Sequence, residues 1–174
     1  QGTMNGEVNI GTIPTFFVDQ IAVQQGGNGA LFGSGAIGGV IHLDNTLDFN
    51  VGHKASILQT IGSNKFTYTG LKHSYSNQNT SLSTKFFYSE SPNNYRYRNI
   101  NSAGKPIERQ KNANFRKVGV MTNSSFNIAS NDKLVISLWG QENYSRYPQP
   151  MSGGSDTPFD FTSFVRGTIQ WQNL

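Results

Sequence analysis

From about Lys54 onwards the apolar residues of this chain fall on alternate positions. Ala55, Ile57, Gln59 and Ile61 interleave with Lys54, Ser56, Leu58 and Thr60. A repeat of two sends successive side chains to opposite faces of an extended chain, whereas a helix needs a repeat of about 3.6. Four more segments read the same way. Residues 81–89 set Leu82, Thr84, Phe86 and Tyr88 against Ser83, Lys85, Phe87 and Ser89. Residues 115–128 put Val118, Val120, Phe126 and Ile128 on one side, and residues 133–144 put Leu134, Ile136 and Leu138 opposite Ser137, Trp139 and Gln141. The clearest alternation comes last, where Phe161, Val165, Ile169 and Trp171 face away from Arg166, Thr168, Gln170 and Gln172. Residues 65–75 complete a set of six predicted strands. There Phe66 and Tyr68 compete with Leu71 and Tyr75 for the apolar face, and the pattern decides for neither.

These segments are longer than the about 5–6 residues of an ordinary strand and match the about 9–11 of one that crosses a bilayer. Their connections alternate too. Ser63-Asn64, Asn77-Gln78-Asn79 and Ser130-Asn131-Asp132 are short, while residues 92–114 and 148–158 make long connections that fall on the same side. Short turns on one side and longer loops on the other are the arrangement of bacterial outer-membrane barrels. Six strands fall below the about eight of the smallest such barrels, and would leave two long unpaired edges. The expectation is a piece of something larger.

Residues before Lys54 obey a different rule. Asn5-Gly6 is a turn signal, residues 13–20 predict a short helix with Pro14 near its first position, and Ile21-Ala22-Val23 predict a strand. Seven of the fourteen places from Gly26 to Gly39 are glycine. Interior glycines each cost a helix about 1 kcal/mol relative to alanine, so this stretch predicts turns and close backbone approach. Gly33-Ser34-Gly35-Ala36-Ile37-Gly38 also spells the dinucleotide fingerprint G-x-G-x-x-G, which requires a helix after it. The next residues are instead Gly39-Val40-Ile41-His42-Leu43-Asp44, a β-branched run that predicts a strand and offers no helix N-terminus for a pyrophosphate.

Ile21-Ala22-Val23-Gln24-Gln25-Gly26-Gly27, then Ala30-Leu31-Phe32-Gly33-Ser34-Gly35-Ala36-Ile37-Gly38-Gly39-Val40-Ile41, resembles the end of the plug domain of TonB-dependent outer-membrane receptors. Gly26, Gly27, Gly33, Gly35, Gly38 and Gly39 are the glycines of that motif, with a structural role. The resemblance implies a mainly β fold: the end of an α+β plug domain over residues 1–50, then residues 51–174 as the first antiparallel strands of a transmembrane β-barrel. In this family the plug sits inside a barrel of about 22 strands. The family function is binding and import of a scarce nutrient such as a ferric siderophore, haem or cobalamin. The implied location is the bacterial outer membrane. The implied partners are outer-membrane lipid and lipopolysaccharide, the remainder of the same barrel, the TonB system and a small-molecule nutrient. Gln25 and Gly27 stand where the family usually has arginine and proline, which takes the cation from the plug-to-barrel ion pair that the resemblance would otherwise imply. A structural or adhesive outer-membrane barrel without transport is the alternative.

Composition agrees with the strand pattern. Hydrophobic residues are 35% of the chain while aromatics reach 12%, a balance that suits strands with one face in lipid and one in a polar lumen. No run of about 18 apolar residues predicts a membrane helix. An exported barrel protein needs a signal peptide; with none legible, the expectation is that this chain starts downstream of the natural start. The formal charge is +4, yet the basic residues are dispersed apart from Arg96, Arg98, Arg109, Lys111, Arg116 and Lys117, so no nucleic-acid partner is expected. With no cysteine, thiol-ligated zinc and disulfide scaffolds are excluded.

Candidate chemistry is sparse. His42, His53 and His73 are far apart in sequence with no zinc-binding spacing, and no G-x-S-x-G elbow succeeds a strand, so neither an enzyme, a metal site nor a cofactor is expected. Binding has more support. Tyr95-Arg96-Tyr97-Arg98 lies in the third connection, and Tyr144-Ser145-Arg146-Tyr147 leads into the fifth. Arginine brings charge-assisted donors and tyrosine brings flat area with a polar tip. Tyr95, Arg96, Tyr97, Arg98, Arg146 and Tyr147 are thus the candidate ligand-binding residues, an aromatic girdle beside lipopolysaccharide phosphate being the competing reading of the same residues.

Overall fold

The structure, a computed structural model, describes residues 12–26, 39–148 and 157–173. The chain divides into two compact units, Gln1–Asp48 and Phe49–Leu174.

In the first unit the helix expected over residues 13–20 shrinks to a single 3-10 turn, Thr15–Phe17. Val18 is already extended, with φ −112° and ψ 126°. β-branched Thr15 and Val18 and the Phe16-Phe17 pair lose side-chain freedom in a helix, and burial of Phe17 holds the turn without one. Strand β1 (Gln20–Gln25) then pairs antiparallel with β2 (Gly39–Asp44), in register from Gln20 opposite Asp44 to Gln25 opposite Gly39. The glycine-rich segment therefore joins two strands of a hairpin. Gly39 has φ +146°, and a Cβ there would sit 2.6 Å from the Gln24 carbonyl oxygen, so the pairing itself demands glycine. Gly26, with φ +111°, leaves β1 in a conformation that L side chains rarely adopt. Gly27, Gly33, Gly35 and Gly38 lie outside the described residues. Because a strand comes after Gly38, the dinucleotide reading of the fingerprint is excluded.

The second unit is a six-stranded antiparallel sheet in the order β10-β9-β8-β5-β4-β3. Its strands are β3 (Gly52–Gly62), β4 (Phe66–Ser76), β5 (Thr80–Ser91), β8 (Phe115–Asn127), β9 (Asp132–Arg146) and β10 (Phe159–Asn173). The connection between β5 and β8 folds into a small hairpin of β6 (Arg96–Arg98) and β7 (Ile107–Arg109). At 11 to 15 residues the sheet strands meet or exceed the about 9–11 of a strand that crosses a bilayer. Ile128 is a correction. β8 ends at Asn127, and the Ile128 amide turns back to the Asp132 carbonyl, so Ile128 belongs to the turn and not to the strand face.

Register sorts the side chains into two faces. Ile57 opposes Leu71, Leu71 opposes Phe86, and Phe86 opposes Val120. Val165 opposes Gly140, which opposes Val120, and Ile169 opposes Ile136. Leu71 and Tyr75 thus join the apolar face, while Phe66 and Tyr68 lie on the other. Isolated strand alternation leaves that choice open; pairing with Ile57 and Phe86 makes it.

The burial of the two faces is inverted relative to a soluble sheet. Ile57, Val165 and Ile169 are 76%, 83% and 75% exposed, whereas Lys85 and Ser125 on the polar face are fully buried. Phe87, a large apolar group on that polar face, is buried for a local reason. Its two cross-strand neighbours are Gly70 and Gly119, so the ring lies over bare backbone and stacks with Tyr68 at 6.0 Å between centroids.

The turns are built from their sequences. Asn64 and Lys65 take positive φ (55° and 56°) between β3 and β4. Between β4 and β5 the Asn77 Oδ1 accepts the amides of Asn79 and Thr80, the side-chain turn for which asparagine is favoured. The Asn127 amide and side chain bond the Asn79 and Gln78 carbonyls, tying the two short turns together at one end of the sheet.

Gly119 tests the packing. A Cβ there would meet the Phe87 Cε1 at 2.6 Å and the Gly140 oxygen at 3.1 Å, but a Cβ on Gly140 would meet nothing closer than 3.9 Å. Gly119→Ala should destabilise the refolded sheet by about 1–3 kcal/mol and Gly140→Ala by far less. Denaturant melts of the two variants, monitored by tryptophan fluorescence, read the difference.

Candidate functional site

Three groups of side chains carry candidate chemistry or meet in space. The first is the β6–β7 hairpin. Its register sets Arg96 opposite Arg109, Tyr97 opposite Glu108 and Arg98 opposite Ile107. Residues that oppose one another share a face, so Arg96, Arg98 and Arg109 crowd one side, all three exposed. Tyr97 and Glu108 take the other. The interleaved Tyr95-Arg96-Tyr97-Arg98 run is therefore divided: arginines on one face, tyrosines on the opposite one. Tyr95 stays with Tyr97, ring edge to ring face at 6.4 Å.

Hydrogen bonds hold that split. The Tyr97 hydroxyl donates to Glu108 Oε2 at 3.1 Å, and Asn99 Nδ2 donates to both Glu108 oxygens at 3.3 Å. Desolvation, then the bond to Glu108, pushes the Tyr97 phenol above its ordinary value of 10.0, so it stays a donor throughout the neutral range. Amides close the ends: Gln110 N–H bonds the Tyr95 carbonyl and Asn99 N–H bonds that of Pro106. Arg109 Nη1 donates to the Asn94 carbonyl at 3.3 Å. Over residues 92–114 the sequence carries Arg96, Arg98, Lys105, Arg109 and Lys111 against Glu108 alone. Glu108 is turned to the tyrosine face, and like charges opposite one another destabilise a ladder. The arginine face thus carries three guanidiniums and no carboxylate.

The second group lies elsewhere. Arg146 ends β9 on the apolar face, where its Nε donates to the Tyr144 hydroxyl at 2.7 Å and Phe159 stands opposite. The Tyr144 and Phe159 rings are 6.1 Å apart. Tyr147 comes just after the strand, half-exposed, with its amide bonded to the Pro158 carbonyl. Tyr144, Phe159 and Arg146 form a belt at the end of the apolar face. Nearby Arg116 pairs with Glu142 at 3.3 Å, an exposed pair that contributes little.

The third group joins residues far apart in sequence. His53 and His73 are 20 residues apart, yet His53 Nδ1 and His73 Nε2 approach to 3.4 Å on the apolar face. The expectation of isolated histidines is corrected for this pair. β3 and β4 are antiparallel, with His53 opposite Tyr75 and His73 opposite Ala55, which makes the two imidazoles diagonal neighbours. The signal in the sequence is parity: each histidine sits two residues along its strand from an apolar-face position or opposite one. Among the described residues there is no group of three or more His, Asp or Glu placed to hold a metal ion.

On the polar face, Trp139 Nε1 donates to Gln141 Oε1 at 3.1 Å and Gln141 Nε2 donates to Asn143 Oδ1 at 2.9 Å. Arg166 lies 4.6 Å from the Phe164 ring centre and 5.7 Å from that of Trp139.

Residues 1–40 match the family model of the TonB-dependent receptor plug domain. A search of curated proteins finds no match to the chain.

The arrangement of the hairpin has a direct test. Glu108→Ala removes the acceptor of both Tyr97 and Asn99 and leaves the Arg96–Arg109 repulsion unopposed. Amide hydrogen exchange at Tyr97 and Asn99 should accelerate at least tenfold in Glu108→Ala, and should change little in Arg96→Ala.

Proposed function

The chain is a fragment of a TonB-dependent receptor, and from that premise we propose how its parts serve import across the outer membrane. The family is one of transporters that work in the bacterial outer membrane. In this reading the six-stranded sheet is a stretch of wall in a barrel of about 22 strands. Its exposed apolar face, from Ile57 to Ile169, meets hydrocarbon, and its polar face lines the lumen. The Tyr144, Phe159 and Arg146 belt lies at the membrane interface, with Arg146 toward lipopolysaccharide phosphate.

The observation that carries this reading is the inverted burial of the sheet. A soluble sandwich buries its apolar face, because each buried aliphatic side chain is worth about 1.5–3 kcal/mol. Here apolar side chains are exposed while Ser83, Ser89, Asn123, Ser125, Gln141 and Asn143 are buried. Asn123 Nδ2, Ser125 Oγ and Asn143 Nδ2 find no protein partner among the described residues, which suits a wall that water completes.

The β6–β7 hairpin lies on the long-loop side of the sheet, the side that faces the outside in this reading. Arg96, Arg98 and Arg109 supply charge-assisted donors for an anionic nutrient, and Tyr95 and Tyr147 supply rings at the same mouth. A negatively charged ferric siderophore, haem with its propionates, and phosphate-bearing cobalamin all fit that requirement. No step of covalent chemistry is needed, since the plug moves under force delivered through TonB.

The test uses the full receptor on whole cells, with a panel of labelled ferric siderophores, haem and cobalamin. Arg96→Gln together with Arg98→Gln should weaken binding of the accepted nutrient at least tenfold, about 1.4 kcal/mol. Arg146→Gln should leave the affinity unchanged. Heat-modifiability on a gel checks that each barrel assembles. Unchanged affinity in the normally assembled double variant would move the capture site away from this hairpin.

A further inference from the structure

We propose that His53 and His73 form a two-histidine chelate for a borderline divalent metal ion, such as Cu²⁺, Ni²⁺ or Zn²⁺, clipping β3 to β4. Distance is the first support. The two ring nitrogens are 3.4 Å apart, longer than the about 2.7–3.2 Å of a well-formed N–H hydrogen bond. Two nitrogens bound to one ion at about 2.0–2.1 Å in tetrahedral geometry stand about 3.3–3.4 Å from each other, which is the separation found. Imidazole is a ligand of choice for these ions, and its neutral form is the one that binds.

The surroundings point the same way. The two rings are tilted by 30° with centroids 5.5 Å apart, so neither stacks on the other. Tyr75 packs against His53 at 4.6 Å between ring centres and supports that ring. The Tyr75 hydroxyl is itself engaged by Asn77 Nδ2 at 3.4 Å, so the support is anchored to the neighbouring turn. Both histidines are exposed, and they lie near the short-turn end of their strands.

Position gives the site a role. Two polar rings stand on the face that otherwise carries Ile57, Leu71 and Phe86, where a polar group without a partner is costly. The two histidines lie on adjacent antiparallel strands, one on β3 and one on β4. A dication held by one ligand from each strand would clip the two strands together, and would stabilise the assembled form in proportion to its occupancy. The site is independent of the arginine hairpin and of what the receptor imports.

The experiment takes purified full-length receptor with Cu²⁺ as the probe, one equivalent per chain, and reads electron paramagnetic resonance. The expected result is a signal with hyperfine coupling to two imidazole nitrogens that is lost or reduced to one nitrogen in both His53→Ala and His73→Ala. It should persist in His42→Ala. Equilibrium dialysis should show one fewer tightly held ion in each of the two variants than in the parent, with heat-modifiability confirming that the variants are assembled. A signal and stoichiometry unaffected by either substitution would overturn the proposal. So would a loss in one variant alone, which would make a single histidine the ligand.

Discussion

The structure depends on one constraint: each sheet side chain must choose between two faces, and the choice propagates from strand to strand through the register. A shift of one residue in the β9–β10 pairing would exchange the two sets, turning Ile169 and Val165 to the polar face and Arg166 and Thr168 to the apolar one. Backbone polar groups cannot be left unpaired in hydrocarbon, so a wall in lipid must be a fully laddered sheet, and its sequence is read in twos. Long strands, polar burial and exposed apolar side chains all result from that choice. Even the exceptions obey it: Phe87 can occupy the polar face because Gly70 and Gly119 beside it lack side chains.

Much of this is legible in the residues. The six strands, the short turns at Asn64 and Asn77 and the β1–β2 strands around the glycine stretch all appear where alternation and turn chemistry put them. The misses have physical causes. The face of β4 cannot be chosen from its own residues, because aromatic and aliphatic groups occupy both parities; cross-strand partners are needed. Pro14 suggests a longer helix than the chain forms, because β-branched and aromatic residues favour a single turn once Phe17 is buried. Ile128 resembles a strand residue by parity, but the amide network of the adjoining turn takes it first.

Candidate chemistry is less legible than the fold, since it depends on which residues oppose one another. The Tyr95 to Arg98 run has the look of a mixed cluster, but in a strand neighbours in sequence point apart, so the hairpin separates rings from guanidiniums. Arg109 joins the cationic face only because the turn between β6 and β7 returns it opposite Arg96. His53 and His73 illustrate the same point from the other side, as residues distant in sequence that antiparallel pairing makes diagonal neighbours. Arg146 and Tyr144 share a face because they are two apart, and at the strand end they meet each other and Phe159.

The central claim is that the apolar face of this sheet meets lipid and the polar face does not. Nitroxide labels placed one at a time at positions 163–171 of β10, in the full receptor reconstituted in bilayers, test it most directly. Collision with oxygen, which concentrates in lipid, should peak at 165, 167, 169 and 171 and fall at 164, 166, 168 and 170, with a polar quencher showing the opposite phase. A flat profile, or the reverse phase, would contradict the account.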